Sequence, residues 1–226
     1  MKPKALLIGD SGGAFPLERV APAVCAVFDT DLQCTCTGEY AGLTWEQLRQ
    51  YDLLLCCVDE AGWAEKSSPR LAADLACYVL NGGGILGLHR GIATAQNLEL
   101  RHLWGGCLQK RLPRTMLEFA PAADAETVLR YPEPFVLEEE PLLFTFDPFV
   151  QGRQILYTMT YGAQQYPAAW TLQYGSGRVA YVSGGQNPAS FAQPDFVRLL
   201  RHCGLWAADP FWGRRCGLCK NQAEFF

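Results

Sequence analysis

The spacing of apolar positions along this 226-residue chain changes period repeatedly, and each change predicts a new element. Residues 5–9 are a short apolar run ending in glycine, after which Leu17, Val20, Val24 and Val27 recur at helical spacing. Residues 32–37 read as a second strand. Thr44-Trp45-Glu46-Gln47 has the form of a capping box, in which the first and fourth residues satisfy each other's free backbone N–H groups, and it opens a short helix. Residues 53–58 are continuously apolar, as a strand covered on both faces must be. Ser68-Pro69 starts a further helix with Leu71, Leu75, Tyr78 and Val79 on its inward face, and Gly82 ends it. Residues 85–88 form the fourth strand. Buried strands alternating with helices predict an α/β fold built on a mainly parallel, doubly wound sheet with right-handed crossovers.

The signal changes over residues 108–165, where strand-like runs at 115–119 and 155–159 are separated by proline-rich segments such as Tyr131-Pro132-Glu133-Pro134. This predicts a β-rich insertion beside the main sheet, belonging to the same domain. The main pattern resumes with residues 168–174, a turn at Gly175-Ser176-Gly177 and residues 178–183, together a hairpin. Phe196, Leu199, Leu200, Cys203 and Trp206 mark a last amphipathic helix. One domain is expected over residues 1–210, with 211–226 as a C-terminal tail.

Composition narrows the function classes. At 49% hydrophobic the chain can bury a large core, and a net charge of -4 argues against nucleic acid, whose phosphates require a clustered basic surface. Arg111, Arg114, Arg214 and Arg215 are too scattered along the sequence to alter that. No apolar run approaches the ~20 residues that cross a bilayer, and the start is too short for a signal peptide, so no membrane partner and a cytoplasmic location are expected. Most of the ten cysteines lie in apolar stretches and are expected as core thiols, not as a disulfide framework.

The candidate chemistry collects where strands end. Gly87-Leu88-His89-Arg90-Gly91 follows a buried strand as a sharp turn, the geometry that lifts a central side chain to the carboxyl edge of a sheet. Asp59 and Glu60 end the preceding strand on the same edge, where a carboxylate beside an imidazole raises its pKa and gives it acid or base duty. Gly9-Asp10-Ser11-Gly12-Gly13 imitates the string around a serine-protease nucleophile, but its place after the first strand of an α/β pattern makes it a tight turn or a small ligand-binding loop at the sheet edge. Phosphate-loop and dinucleotide glycine fingerprints are absent. The three histidines show no zinc spacing, and no cofactor is expected. Cys216-Gly217-Leu218-Cys219 reads either as a flexible tail or as half a zinc site, completed by Cys34 and Cys36 or by another subunit.

Taken in order, residues 82–91, Leu103-Trp104-Gly105-Gly106, Pro167-Ala168-Ala169-Trp170 and Gly184-Gly185-Gln186-Asn187-Pro188-Ala189-Ser190-Phe191 resemble the ThuA-like (trehalose-utilisation) family. That family is similar in fold to class I glutamine amidotransferases, which implies a flavodoxin-like three-layer sandwich. Amidotransferases carry Gly-x-Cys-x-Gly at the elbow. Here the slot holds His89, so the glutaminase reaction lacks its nucleophile. The late loop has Gln186 where the family usually has histidine, and Leu142 follows Glu140 and Pro141 where a Leu-Tyr pair is usual. The resemblance implies a small-molecule partner, a disaccharide or keto-sugar. On this reading His89 is acid or base, Asp59 or Glu60 its partner and Glu140 a second carboxylate, with Trp63 or Trp104 as a stacking surface and Asp10, Ser11, Arg90 and Gln186 as further ligand contacts. The competing expectation is a non-catalytic ligand-binding or assembly protein on the same scaffold. Phe211-Trp212 and Phe225-Phe226 suit a homo-oligomer.

Overall fold

A computed structural model describes residues 2–12, 15–92 and 97–209, so Cys216, Cys219 and the aromatic pairs of the tail lie outside the described residues. Five parallel strands carry the expected α/β pattern: β1 (Lys4–Gly9), β2 (Gln33–Thr37), β3 (Leu53–Cys57), β4 (Gly84–Leu88) and β11 (Gly177–Val182). They lie in the order β2-β1-β3-β4-β11, the flavodoxin-like arrangement, so the strand order reverses beside β1. β3 and β4 are buried along their whole length because helices cover both faces of the sheet.

One layer consists of α1 (Leu17–Phe28) and the closing helix α6 (Pro194–Ala208), packed on Ala5, Leu7, Leu53, Leu55, Leu86 and Leu88. The opposite layer holds α2 (Trp45–Leu48), α3 (Glu60–Lys66), α4 (Pro69–Leu80) and α5 (Leu98–Trp104), over Leu6, Ile8, Leu54, Cys56 and Ile85. Alternate residues of each strand thus feed two separate cores, as the two-residue period of a strand requires. The capping box at Thr44 forms, and Ser68 caps α4 by accepting from the Leu71 N–H.

The insertion joins the sheet instead of standing beside it. β10 (Gln164–Tyr174) and β11 form the expected hairpin, and β9 (Gln154–Tyr161), β6 (Thr115–Pro121) and β7 (Phe135–Glu139) continue outward antiparallel, giving nine strands. Among the described residues, β5 (Gly106–Arg111) and β8 (Leu142–Phe146) alone form a separate pair. Phe144 and Phe146 of β8 meet Trp170 edge-on, which attaches this ribbon to the core. The eight described cysteines are free thiols, including Cys25 and Cys36, whose sulfurs lie 3.6 Å apart between α1 and β2. Among the described residues no helix is long and apolar enough to cross a membrane.

Candidate functional site

β4 ends at Leu88, and the chain turns at once into a short 3₁₀ segment, His89–Ile92. His89 takes φ 49°, a left-handed conformation that few non-glycine residues adopt, and one that marks a strand-to-helix elbow under strain. The tightness of the turn also explains Gly91. A Cβ there would stand 2.1 Å from the Cys56 carbonyl oxygen. The elbow is pinned from above by Tyr181, whose hydroxyl donates to the His89 carbonyl at 2.7 Å.

The elbow does not present its side chain to solvent. His89 is 0% exposed, with Phe15 packed at 5.6 Å between ring centroids, and neither ring nitrogen has a hydrogen-bond partner among the described residues. Burial pushes its pKa down to about 3, helped by the charges of Arg90, Arg114 and Arg111. The imidazole is therefore neutral at pH 7. Its nearest acid is Glu139, with Oε2 3.9 Å from Nε2, a contact that is not an ion pair because His89 carries no charge.

Glu139 is the best-held carboxylate of the site. Its Oε1 accepts from the Gly185 N–H at 2.7 Å, the Asn187 N–H at 3.2 Å and the Ser190 hydroxyl at 2.6 Å. Those donors come from the loop after β11, which Gly184 (φ 100°) and Gly185 (φ 87°) fold back in conformations that suit glycine alone. Even so, burial outweighs these bonds and holds the Glu139 carboxyl above the usual range. Gln186 is buried in the same loop and accepts from the Arg114 guanidinium at 3.0 Å.

The other expected site residues are distributed differently. Asp59 caps α3, its Oδ1 accepting from the Gly62 N–H at 3.0 Å, so the carboxylate beside His89 is Glu139 and not Asp59. Glu60 is 58% exposed and 3.6 Å from Arg111. Glu140 pairs at 2.6 Å with Arg90, itself only 6% exposed. Asp10 accepts from the Tyr40 hydroxyl at 2.7 Å, the Lys66 ammonium at 3.0 Å and the Asp59 N–H at 3.3 Å, which ties β1 to α3. Ser11 is exposed and bonds Glu18. Trp63 and Trp104 are core residues, not stacking surfaces: the Trp63 indole donates to the Gly91 carbonyl, and Trp104 lies fully buried with its carbonyl accepting from Trp170. Glu139 and Ser190 were not among the expected site residues. Strand parity carries the missing signal, since Phe135, Leu137 and Glu139 share the buried face of β7 while Val136 and Glu138 point outward.

A cleft of ≈ 550 Å³ opens beside this buried centre, walled by residues 108–113 together with Glu60 and Glu140. Its wall is β5, where the register with β8 slips between Leu108 and Lys110. A second groove, ≈ 500 Å³, lies elsewhere between α4 and α5 and is lined mostly by apolar side chains such as Ala73, Leu80 and Leu98. Hydroxyl-rich ligands need convergent polar groups, and of these two the first is the richer in them. Among the described residues no cluster of three or more metal-type ligands occurs.

The trehalose-utilisation family model, ThuA, matches residues 19–207. The chain belongs to the ThuA family. A putative ThuA-like protein from Bacteroides uniformis superposes with a TM-score of 0.75 at 17% identity, covering 91% of this chain and 92% of that one. A cytoplasmic protein from Salmonella typhimurium LT2 gives 0.65 at 15%, over 91% and 97% of the two chains. A β-galactosidase from Bacillus circulans gives 0.60 at 14%, over 95% of this chain but 31% of its own. At these identities the likenesses establish a shared fold. No curated protein matches the sequence. The family and the α/β architecture are those implied by the ordered glycine and tryptophan motifs of the ThuA sequence.

Proposed function

We propose that this ThuA protein binds a disaccharide or keto-sugar in the cleft between β5, Glu60 and Glu140, without glutamine amidotransferase activity. The observation that carries the reading is the pairing of a polar cleft with a buried, neutral His89 at the elbow beneath it. Guanidinium, ammonium, carboxylate and amide groups along one wall suit several hydroxyls at once. The elbow is poorly built for general-base chemistry. His89 has no solvent access and a pKa far below neutrality, and an efficient general base titrates near the working pH. The neighbouring thiols of Cys56 and Cys57 are fully buried, and burial pushes both up, so neither supplies a thiolate.

Thermal shift of the full chain against a panel of disaccharides and keto-sugars tests the reading. Occupation of the cleft raises the melting temperature, with the logarithm of the excess of sugar over its Kd. A panel in which no sugar stabilises the protein contradicts it, as does glutamine hydrolysis above background.

A further inference from the structure

The chain is acidic overall, yet its cleft is not. Lys110 and Arg111 line the wall, Arg90 reaches it through Glu140, and Arg114 follows the lining residue Pro113. The charges of Arg90, Arg111 and Arg114 also help to hold the pKa of the buried His89 down.

These cations are unevenly matched by acids. Glu140 is committed to Arg90 at 2.6 Å. Glu60 stands 3.6 Å from Arg111 with both side chains largely in solvent, a geometry worth little. Arg114 has a neutral partner, the Gln186 amide oxygen. Lys110 has no ion pair among the described residues. Glu139 is occupied by three donors from the loop after β11. The lining itself is balanced, Lys110 and Arg111 against Glu60 and Glu140, and the positive surplus comes from Arg90, which neutralises Glu140, and from Arg114 next to the lining residue Pro113, on a protein whose net charge is -4. A cleft whose charged groups sum to a positive excess favours a ligand of negative charge.

We infer that the ligand of this cleft is an anionic sugar, bearing a carboxylate or a phosphate that Arg111 engages with its planar fork while Lys110 and Arg114 contribute point charge. The inference rests on the cleft being the sugar site, and it narrows the substrate class from polyols in general to sugar acids or sugar phosphates.

Calorimetric titration of the full chain compares glucuronate and glucose 6-phosphate with glucose, trehalose and inorganic phosphate, at low and at high salt. The charged sugars are expected to bind about tenfold or more tightly than the neutral ones, with the advantage shrinking as salt rises. Arg111→Gln and Lys110→Gln, both at exposed positions, are expected to lower that preference while leaving the unliganded melting temperature unchanged. Whichever of the two charged sugars binds better identifies carboxylate or phosphate as the group. Equal affinity for charged and neutral sugars, unaffected by Arg111→Gln, overturns the inference and leaves the sugar site standing. Inorganic phosphate binding as tightly as glucose 6-phosphate overturns the sugar component, and absence of binding by every probe overturns both readings.

Discussion

Glu139 and Glu140 are neighbours in sequence with opposite fates, and the difference is a matter of strand parity. Glu139 shares a face with Phe135 and Leu137 and is driven inward, whereas Glu140 follows the strand and meets Arg90 at the cleft. The family resemblance pointed to Glu140, and the parity that puts Glu139 inward becomes readable only once Phe135 and Leu137 are known to form the buried face of the five-residue β7. Asp59 illustrates a second ambiguity: a carboxylate after a strand suits catalysis and helix capping equally, and the short α3 that begins there decides for capping. Removing the Glu139 side chain leaves two N–H groups and a hydroxyl without their acceptor, so Glu139→Ala is expected to cost roughly 2–4 kcal/mol and Glu139→Gln, which keeps an acceptor, less. Urea unfolding midpoints of the two variants measure this, and equal losses would show that the acceptor role is not what matters.

His89 makes a pH prediction with a definite sign. Its folded pKa, about 3, lies below the ordinary value near 6.5, so between these limits the unfolded chain binds more protons. The neutral histidine's contribution is complete above pH ~6.5 and is lost as pH falls toward 3, on the order of a few kcal/mol. Glu139, with its pKa raised, acts in the opposite sense: its contribution is present at acid pH and lost as pH rises through the folded value. His89→Asn separates the two, since asparagine tolerates positive φ and does not titrate. Wild type should lose more stability than His89→Asn between pH 7 and pH 4 in urea titrations; parallel profiles would mean that His89 is not held neutral by the fold.

At the scale of elements, long periodic segments declared themselves and short ones did not. α1, α4 and α6 each repeat an apolar face over three turns or more, and the central strands β3 and β4 are continuous runs without a charged or polar side chain, so both signals are unambiguous. β5, β7 and β8 are five or six residues long, and α3 and α5 seven, which is too short for a period to emerge. The strands among them are placed by partners distant in sequence: Gly106 of β5 pairs with Phe146 of β8. The elbow, by contrast, was marked by its glycines. Gly91→Ala would drive a methyl into the Cys56 carbonyl and is expected to destabilise by ~2–3 kcal/mol, while Gly42→Ala, with nothing within 4 Å of the added carbon, should stay within about 0.5 kcal/mol. Comparable losses at the two positions, in denaturant titrations, would remove the packing argument for the elbow.

For the molecule as a whole, alternation of strands and helices implies a doubly wound sheet, but not the order in which its strands pair. That order places β1, β3 and β4 side by side, and with them Asp10, Asp59 and His89 on one edge. The expected edge is present, yet its members divide into three jobs. Asp10 and Asp59 fasten loops, His89 and Glu139 form a buried polar centre, and Glu60, Lys110, Arg111 and Glu140 face the cleft. The partners of Arg111 and Arg114, Glu60 and Gln186, lie far away in sequence, which is why periodicity gives these arginines no place.

The central claim is the location of the ligand, and amide chemical-shift mapping with the most stabilising sugar of the panel tests it most directly. The cleft predicts shifts concentrated at residues 108–114, at Glu60 and Glu140, and in the Gly185 to Asn187 loop that holds Glu139. Shifts confined to the apolar groove around Ala73, Leu98 and Tyr174, or spread without a centre, would contradict it.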